Sequence, residues 1–177
     1  LPMLYRCALA CQLVVVLAAS GLAADVRCAL IFEDSFERNE SQETTDEIGL
    51  GWGTNSKSRA GGNKQVDLRD GHMYITTHPT ADHAASVTHP AEFRNGAVQL
   101  RFQLEHAQDT LGLDFADLQL KTVHAGHLFK VTVGLNKLEI NDLKSGVMNL
   151  EIYNARKANQ LTAEMKQKST STRKTFP

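Results

Sequence analysis

Ala97-Val98-Gln99-Leu100-Arg101-Phe102-Gln103-Leu104 is the stretch whose reading decides the fold class. Val98, Leu100, Phe102 and Leu104 alternate with Gln99, Arg101 and Gln103. Successive side chains of an extended chain point to opposite faces, so this period of two predicts a strand with one apolar and one polar face. Working outward, the same alternation groups Met73 with Ile75, Leu111 with Leu113 and Phe115, Leu138 with Ile140, and Met148 with Leu150 and Ile152. Asp70-Gly71, Asn95-Gly96 and Ser145-Gly146 are turn-forming pairs between these runs. Strands at this spacing without intervening amphipathic helices predict an all-β antiparallel sandwich or barrel. No repeat of a solenoid or propeller period is present.

The 177 residues are 42% hydrophobic and 22% charged with a formal net charge of −1, a composition that excludes disordered, collagenous and coiled-coil classes. Near-neutral charge gives no electrostatic footprint for nucleic acid. Residues 1–24 read as a secretory signal peptide. Arg6 precedes an apolar run from Cys7 to Leu17, and the small residues around Ala23 and Ala24 suit a signal peptidase. The run is shorter than the ~20 apolar residues that span a bilayer, so cleavage and a secreted or periplasmic destination are expected, with no stable membrane span afterwards. Residues 25–177 are then expected to form one domain. Cleavage leaves Cys28 as its single cysteine, so packing rather than an internal disulfide must hold it together.

Residues 33–47 carry Glu33, Asp34, Glu37, Glu40, Glu43, Asp46 and Glu47 against Arg38, a run expected to be a solvated loop. Gly49 to Asn63 holds five glycines and predicts a long surface loop. Toward the C-terminus, Asn154 to Lys168 is helix-permissive with Leu161 and Met165 as its only apolar i, i+4 pair, so a short surface helix is expected there. The basic stretch from Arg156 to Lys174 reads as a solvated helix and tail, with a polyanion-binding arm as the alternative.

Seven histidines concentrate the candidate chemistry. His124-Ala125-Gly126-His127 forms an H-x-x-H, and imidazoles with carboxylates such as Asp82, Asp114 and Asp117 are ligands for a divalent metal. Residues three apart on a strand face opposite sides, so His124 and His127 need a bend at Gly126 to converge; the alternative is surface or hydrogen-bonded histidines. Asp114 and Asp117 likewise diverge on a strand, which disfavours a two-carboxylate glycosidase mechanism. No E-x-D-x-x-E run, phosphate-binding glycine loop or G-x-S-x-G elbow occurs. Trp52, within Gly49-Leu50-Gly51-Trp52-Gly53, suits either a sugar-stacking platform or a plug at the edge of the core.

Phe32-Glu33-Asp34-Ser35-Phe36-Glu37-Arg38, Gly51-Trp52-Gly53 and the stretch from Val66 to Ile75 resemble, in order, secreted bacterial concanavalin A-like domains of the 3-keto-disaccharide hydrolase type, also termed family-16-like glycoside hydrolases. Asp82-His83-Ala84-Ala85-Ser86-Val87 and Val123-His124-Ala125-Gly126-His127 extend the resemblance to an uncharacterised exported subgroup. The likeness runs from about residue 31 to 177. It implies a jelly-roll sandwich whose further C-terminal strands lie beyond Pro177, so an incomplete sandwich is expected. It departs from the family at the opening Asn-Gly-x-x-Leu-x-Gly-Trp element, of which Gly51-Trp52 alone stands in a comparable place.

The resemblance implies a saccharide-directed hydrolase or lyase acting on 3-keto glycosides. A 3-keto group acidifies the neighbouring C–H, so a histidine or carboxylate base suffices, with a metal or arginine steadying the enolate. The candidates are His124, His127 and Asp114 for catalysis, His124 and His127 as metal ligands, and Trp52, Gln99, Arg101 and Gln103 as sugar contacts. Two alternatives remain: a non-catalytic, lectin-like glycan-binding module using Gln99, Arg101 and Gln103, and an envelope scaffold protein with no saccharide ligand.

Overall fold

A computed structural model describes residues 29–177; the expected signal peptide and Cys28 lie outside them. The chain divides into two compact units, one ending at Ala97 and one running from Val98 to Pro177. In both, strand outweighs helix and every sheet is antiparallel, as the alternation predicts.

The first unit holds two two-stranded sheets. β1 (Gly53–Thr54) pairs with β4 (Val87–Thr88), and β2 (Val66–Arg69) pairs with β3 (His72–Ile75). The β2–β3 hairpin closes on Asp70-Gly71, whose φ values of 51° and 68° are those of a type I′ turn, the turn this pair favours. Its register sets Leu68 opposite Met73, and Val66 and Leu68 point into a core with Ile48. Phe36, Trp52, Met73 and Val87 pack around that core. The glycine-rich stretch is more ordered than expected: a single helical turn, α1 (Ser56–Arg59), buries Ser56, and Ala60 beyond it is buried too.

The acidic run is irregular but only partly solvated, which corrects the sequence expectation. From Phe32 to Gln42 inward and outward residues alternate, and Asp34 and Glu40 are among the inward ones. Glu40 accepts from Lys64 Nζ at 2.8 Å and from Leu68 N at 3.0 Å. Asp46 accepts from the backbone N–H groups of Gln65 and Val66 at 2.7 and 2.9 Å and from Thr54 Oγ1 at 2.6 Å. Asp34 forks onto Arg38 at 2.6 and 2.9 Å and takes the Trp52 Nε1 proton at 2.8 Å. Glu40 and Asp46 thus take up backbone donors of β2 and the residue before it that the two-stranded β2–β3 ladder leaves open.

The second unit is built on a four-stranded sheet in the order β5 (Leu111–Ala116), β6 (His127–Gly134), β7 (Lys137–Asp142), β8 (Arg173–Phe176). The register sets Leu113 opposite Val131 and Phe115 opposite Phe129, whose rings stack at 4.4 Å. Val131 and Val133 in turn face Ile140 and Leu138. One face is therefore apolar; the other carries Asp114, Lys130, Asn141 and Arg173 in a row across the four strands.

Three expectations fail here for identifiable reasons. Ala97 to Leu104, the clearest alternation in the sequence, forms no strand, and Val98, Leu100 and Phe102 are exposed. Alternation assigns faces, whereas a strand also needs a ladder partner. Met148 to Ile152 is not a strand either. Asn149 caps a helix there, accepting from Glu151 N and Ile152 N at 3.1 and 3.4 Å, and α2 (Leu150–Lys157) follows. In place of one C-terminal helix there are two, the second being α3 (Ala163–Ser171), capped by Thr162. The basic tail ends as β8, whose place comes from pairing with Leu138–Asn141 and not from a pattern of its own.

Candidate functional site

His127 opens β6, and two local features aim its ring. The chain enters through a 3₁₀ turn, His124–Gly126, in which Ala125 and Gly126 take φ values of 50° and 71°. Gly126 is required there: a Cβ would stand 2.2 Å from the Asp117 carbonyl oxygen, whose own N–H donates to Gly126 O at 2.9 Å. The second feature is a β-bulge. Phe115 faces Phe129, but the next residue, Ala116, faces His127, so Leu128 is an extra residue on β6. An extra residue reverses the parity of everything beyond it. Without it His127 would share the face of Phe129; with it His127 shares the face of Asp114.

The result is a hydrogen bond of 2.9 Å between His127 Nδ1 and Asp114 Oδ1, with about a third of each side chain exposed. The Asp114 hydrogen bond raises the His127 pKa above its ordinary value of 6.5; partial burial opposes this, the negative charge on Asp114 reinforces it, and Lys130 opposes it. Lys130 belongs to the same face, opposite Asp114, and its Cε and Nζ lie over Gly112. A carboxylate on Nδ1 fixes the tautomer of the neutral ring and leaves Nε2 as its basic nitrogen. Beside this pair on β7, Asn141 is buried with its Oδ1 unpartnered.

His124 does not join the pair. Its ring stacks on Tyr153 of α2 at 3.6 Å and 10°. The bend at Gly126 therefore sends the two histidines to different partners. Among the described residues, three candidate metal-ligand atoms come within 4.8 Å of one another at Glu40, Glu43 and Asp67, and not at Asp114, His124 and His127. The acidic trio already surrounds the Lys64 ammonium, at 2.8, 2.8 and 2.9 Å. Burial works against that charge, but the three carboxylates outweigh it and hold the Lys64 pKa above its usual value.

Gln99, Arg101 and Gln103 are exposed on the irregular segment before β5. Trp52, in the first unit, occupies the core-edge position that its sequence left open. Its indole packs on the Ile48–Val66–Leu68 core, its N–H is held by Asp34, and Phe32 and His89 lie against it at 5.7 and 5.2 Å. Sequence reasoning missed Lys130 and Asn141. The parity of β6 and β7 is the signal that would have found them, since each alternates with the apolar residues of its strand.

No protein-family model, curated protein or solved structure matches the chain. Among the described residues no helix is long and apolar enough to cross a membrane.

Proposed function

We propose that the chain is an exported, saccharide-directed protein whose polar sheet face acts on 3-keto glycosides with His127 as general base. The antiparallel strands would belong to a concanavalin A-like jelly roll, in keeping with the one apolar and one polar face of the four-stranded sheet. The observation that carries the reading is the 2.9 Å bond from His127 to Asp114 on that polar face, with Lys130 opposite. Nε2 of neutral His127 takes the proton from the carbon between the keto group and the anomeric carbon. The electron pair moves onto the keto oxygen as an enolate, steadied by Lys130. As the enolate collapses, the bond from the anomeric carbon to the departing oxygen breaks, and that oxygen takes up the proton that His127 carried, which returns the imidazole to its neutral form. Asp114 is a positioning residue that stabilises imidazolium as it forms.

His127→Gln, assayed for release of the aglycone from a 3-keto glucoside, is expected to lower turnover at least 100-fold with the urea midpoint near that of the parent chain. Turnover should rise with pH as His127 loses its proton, with a midpoint above the ordinary histidine value. Asp114→Asn should move that midpoint down, since the carboxylate holds the proton on. Unchanged turnover in His127→Gln removes the assignment. Saturable sugar binding with no product, indifferent to His127, would establish the lectin-like alternative.

A further inference from the structure

β5 is an edge strand, paired with β6 on one side and with no described strand on the other. Val98 to Leu104 precedes it in the same unit and makes no ladder, with Val98 56%, Leu100 42% and Phe102 49% exposed. A sheet edge with no neighbouring strand is a template for pairing, and Val98–Leu104 is an alternating segment without a ladder of its own. Between them lies a chain reversal that is already formed. Asp109 N donates to His106 O at 3.1 Å, and His106 N donates to the Asp109 carboxylate at 2.8 Å.

We infer that Val98–Leu104 is a docking strand for the outer edge of β5, closing a hairpin across the His106–Asp109 turn and bringing Arg101 beside Asp114. The register follows from the sequence. If Glu105 and Thr110 flank the four-residue turn, Leu104 meets Leu111, Phe102 meets Leu113 and Leu100 meets Phe115. Leu104, Phe102 and Leu100 then extend the apolar face of the sheet. A one-residue slip would throw all of them onto the polar face, so the register is strongly specified. On the polar face the same register sets Gln103 opposite Gly112 and Arg101 opposite Asp114, an opposite-charge cross-strand pair. The loop is short, so closing it costs little chain entropy, and four-residue hairpin loops built on such a turn are common. A side chain that lies out in solvent in this structure thus reaches the His127–Asp114 pair by the docking of its own strand. The inference stands whether or not that face takes a saccharide.

Disulfide trapping and hydrogen exchange on the full chain test it together. With Cys7, Cys11 and Cys28 replaced by serine, Gln99→Cys with Ala116→Cys is in register on one face, whereas Leu100→Cys with Ala116→Cys is not. The first pair is expected to cross-link at least fivefold faster under mild oxidation. In the parent chain, alternate amides of residues 99–104 should exchange at least tenfold slower than an unstructured peptide, and Phe102→Pro should abolish that protection. Equal cross-linking of the two pairs, or exchange across 99–104 at the unstructured rate, would overturn the docking strand.

Discussion

The unit ending at Ala97 and the unit beginning at Val98 use polar side chains in opposite ways. In the first, charges are turned inward: Glu40 and Asp34 have side chains only 2% and 3% exposed, and both bind backbone donors as well as a cation. Regular pairing there amounts to one four-residue hairpin and one two-residue ladder. In the second unit the backbone is satisfied by a continuous four-strand ladder, and of the polar row across it the charged end members Asp114 and Arg173 stay near water while Asn141 between them is buried. A loop-rich unit needs side chains to finish its backbone hydrogen bonds, and those side chains become structural. A ladder satisfies itself and leaves its polar face free for chemistry.

The contrast breaks most readily at Lys64. Lys64→Met leaves Glu40 buried and uncompensated and is expected to cost about 4 kcal/mol, read as a fall in the urea midpoint. Adding Glu40→Gln should recover much of the loss, since the pair rather than the charge is what burial tolerates. A loss no larger than that of an exposed salt bridge would show that the inward carboxylates are not structural. Gly126→Ala is the largest expected effect in the second unit, about 3 kcal/mol, because the alanine methyl meets backbone at 2.2 Å and the residue keeps a positive φ. It should also displace His127, visible as loss of the raised titration of that imidazole by NMR.

Asp34→Asn comes next, and its effect carries a pH signature. Arg38, above all, holds the Asp34 pKa at about 2 against an ordinary 3.8. A lowered carboxylate contributes stability above its unfolded value and loses it as pH falls through the folded one, so the contribution is present at neutral pH and fades between about pH 4 and pH 2. The shift corresponds to about 2 kcal/mol. The gap in stability between parent and variant should therefore narrow as pH drops through that window. A gap that is constant with pH would assign the loss to packing against Trp52 instead.

Legibility followed the same divide. Asp70-Gly71 and Leu111-Leu113-Phe115 were readable because a turn type and a period of two are local properties. The inward role of Asp34, Glu40 and Asp46 was not, since Glu40 and Asp46 find partners some 20 to 28 residues away. Alternation misled at Met148 to Ile152, where a single asparagine cap made the stretch helical. His127 and Asp114 were both legible as candidates, but their meeting depends on one extra residue in β6 that no spacing rule reveals. The split of His124 from His127 was equally hidden, because Tyr153 competes for the His124 ring from a helix read as a strand.

The smallest expected effect lies at the outer strand of the second unit and sharpens the comparison from its other end. Arg173 Nε reaches Glu139 Oε1 at 3.4 Å between β8 and β7, with half of the arginine side chain exposed. It is an ion pair like Lys64–Glu40 but a longer one, 3.4 Å against 2.8 Å, and water screens it while its side chains lose entropy in forming it. Arg173→Ala is expected to change stability by less than about 0.5 kcal/mol, with the difference vanishing in molar salt. A loss comparable to that of Lys64→Met would mean that β8 is held by its charges rather than by its ladder, and the two units would then differ in degree and not in kind. If instead β8 survives without Arg173, the backbone pairing of Leu138–Asn141 with Arg173–Phe176 is sufficient to hold it, and the polar row on that face is free to change without loss of the sheet.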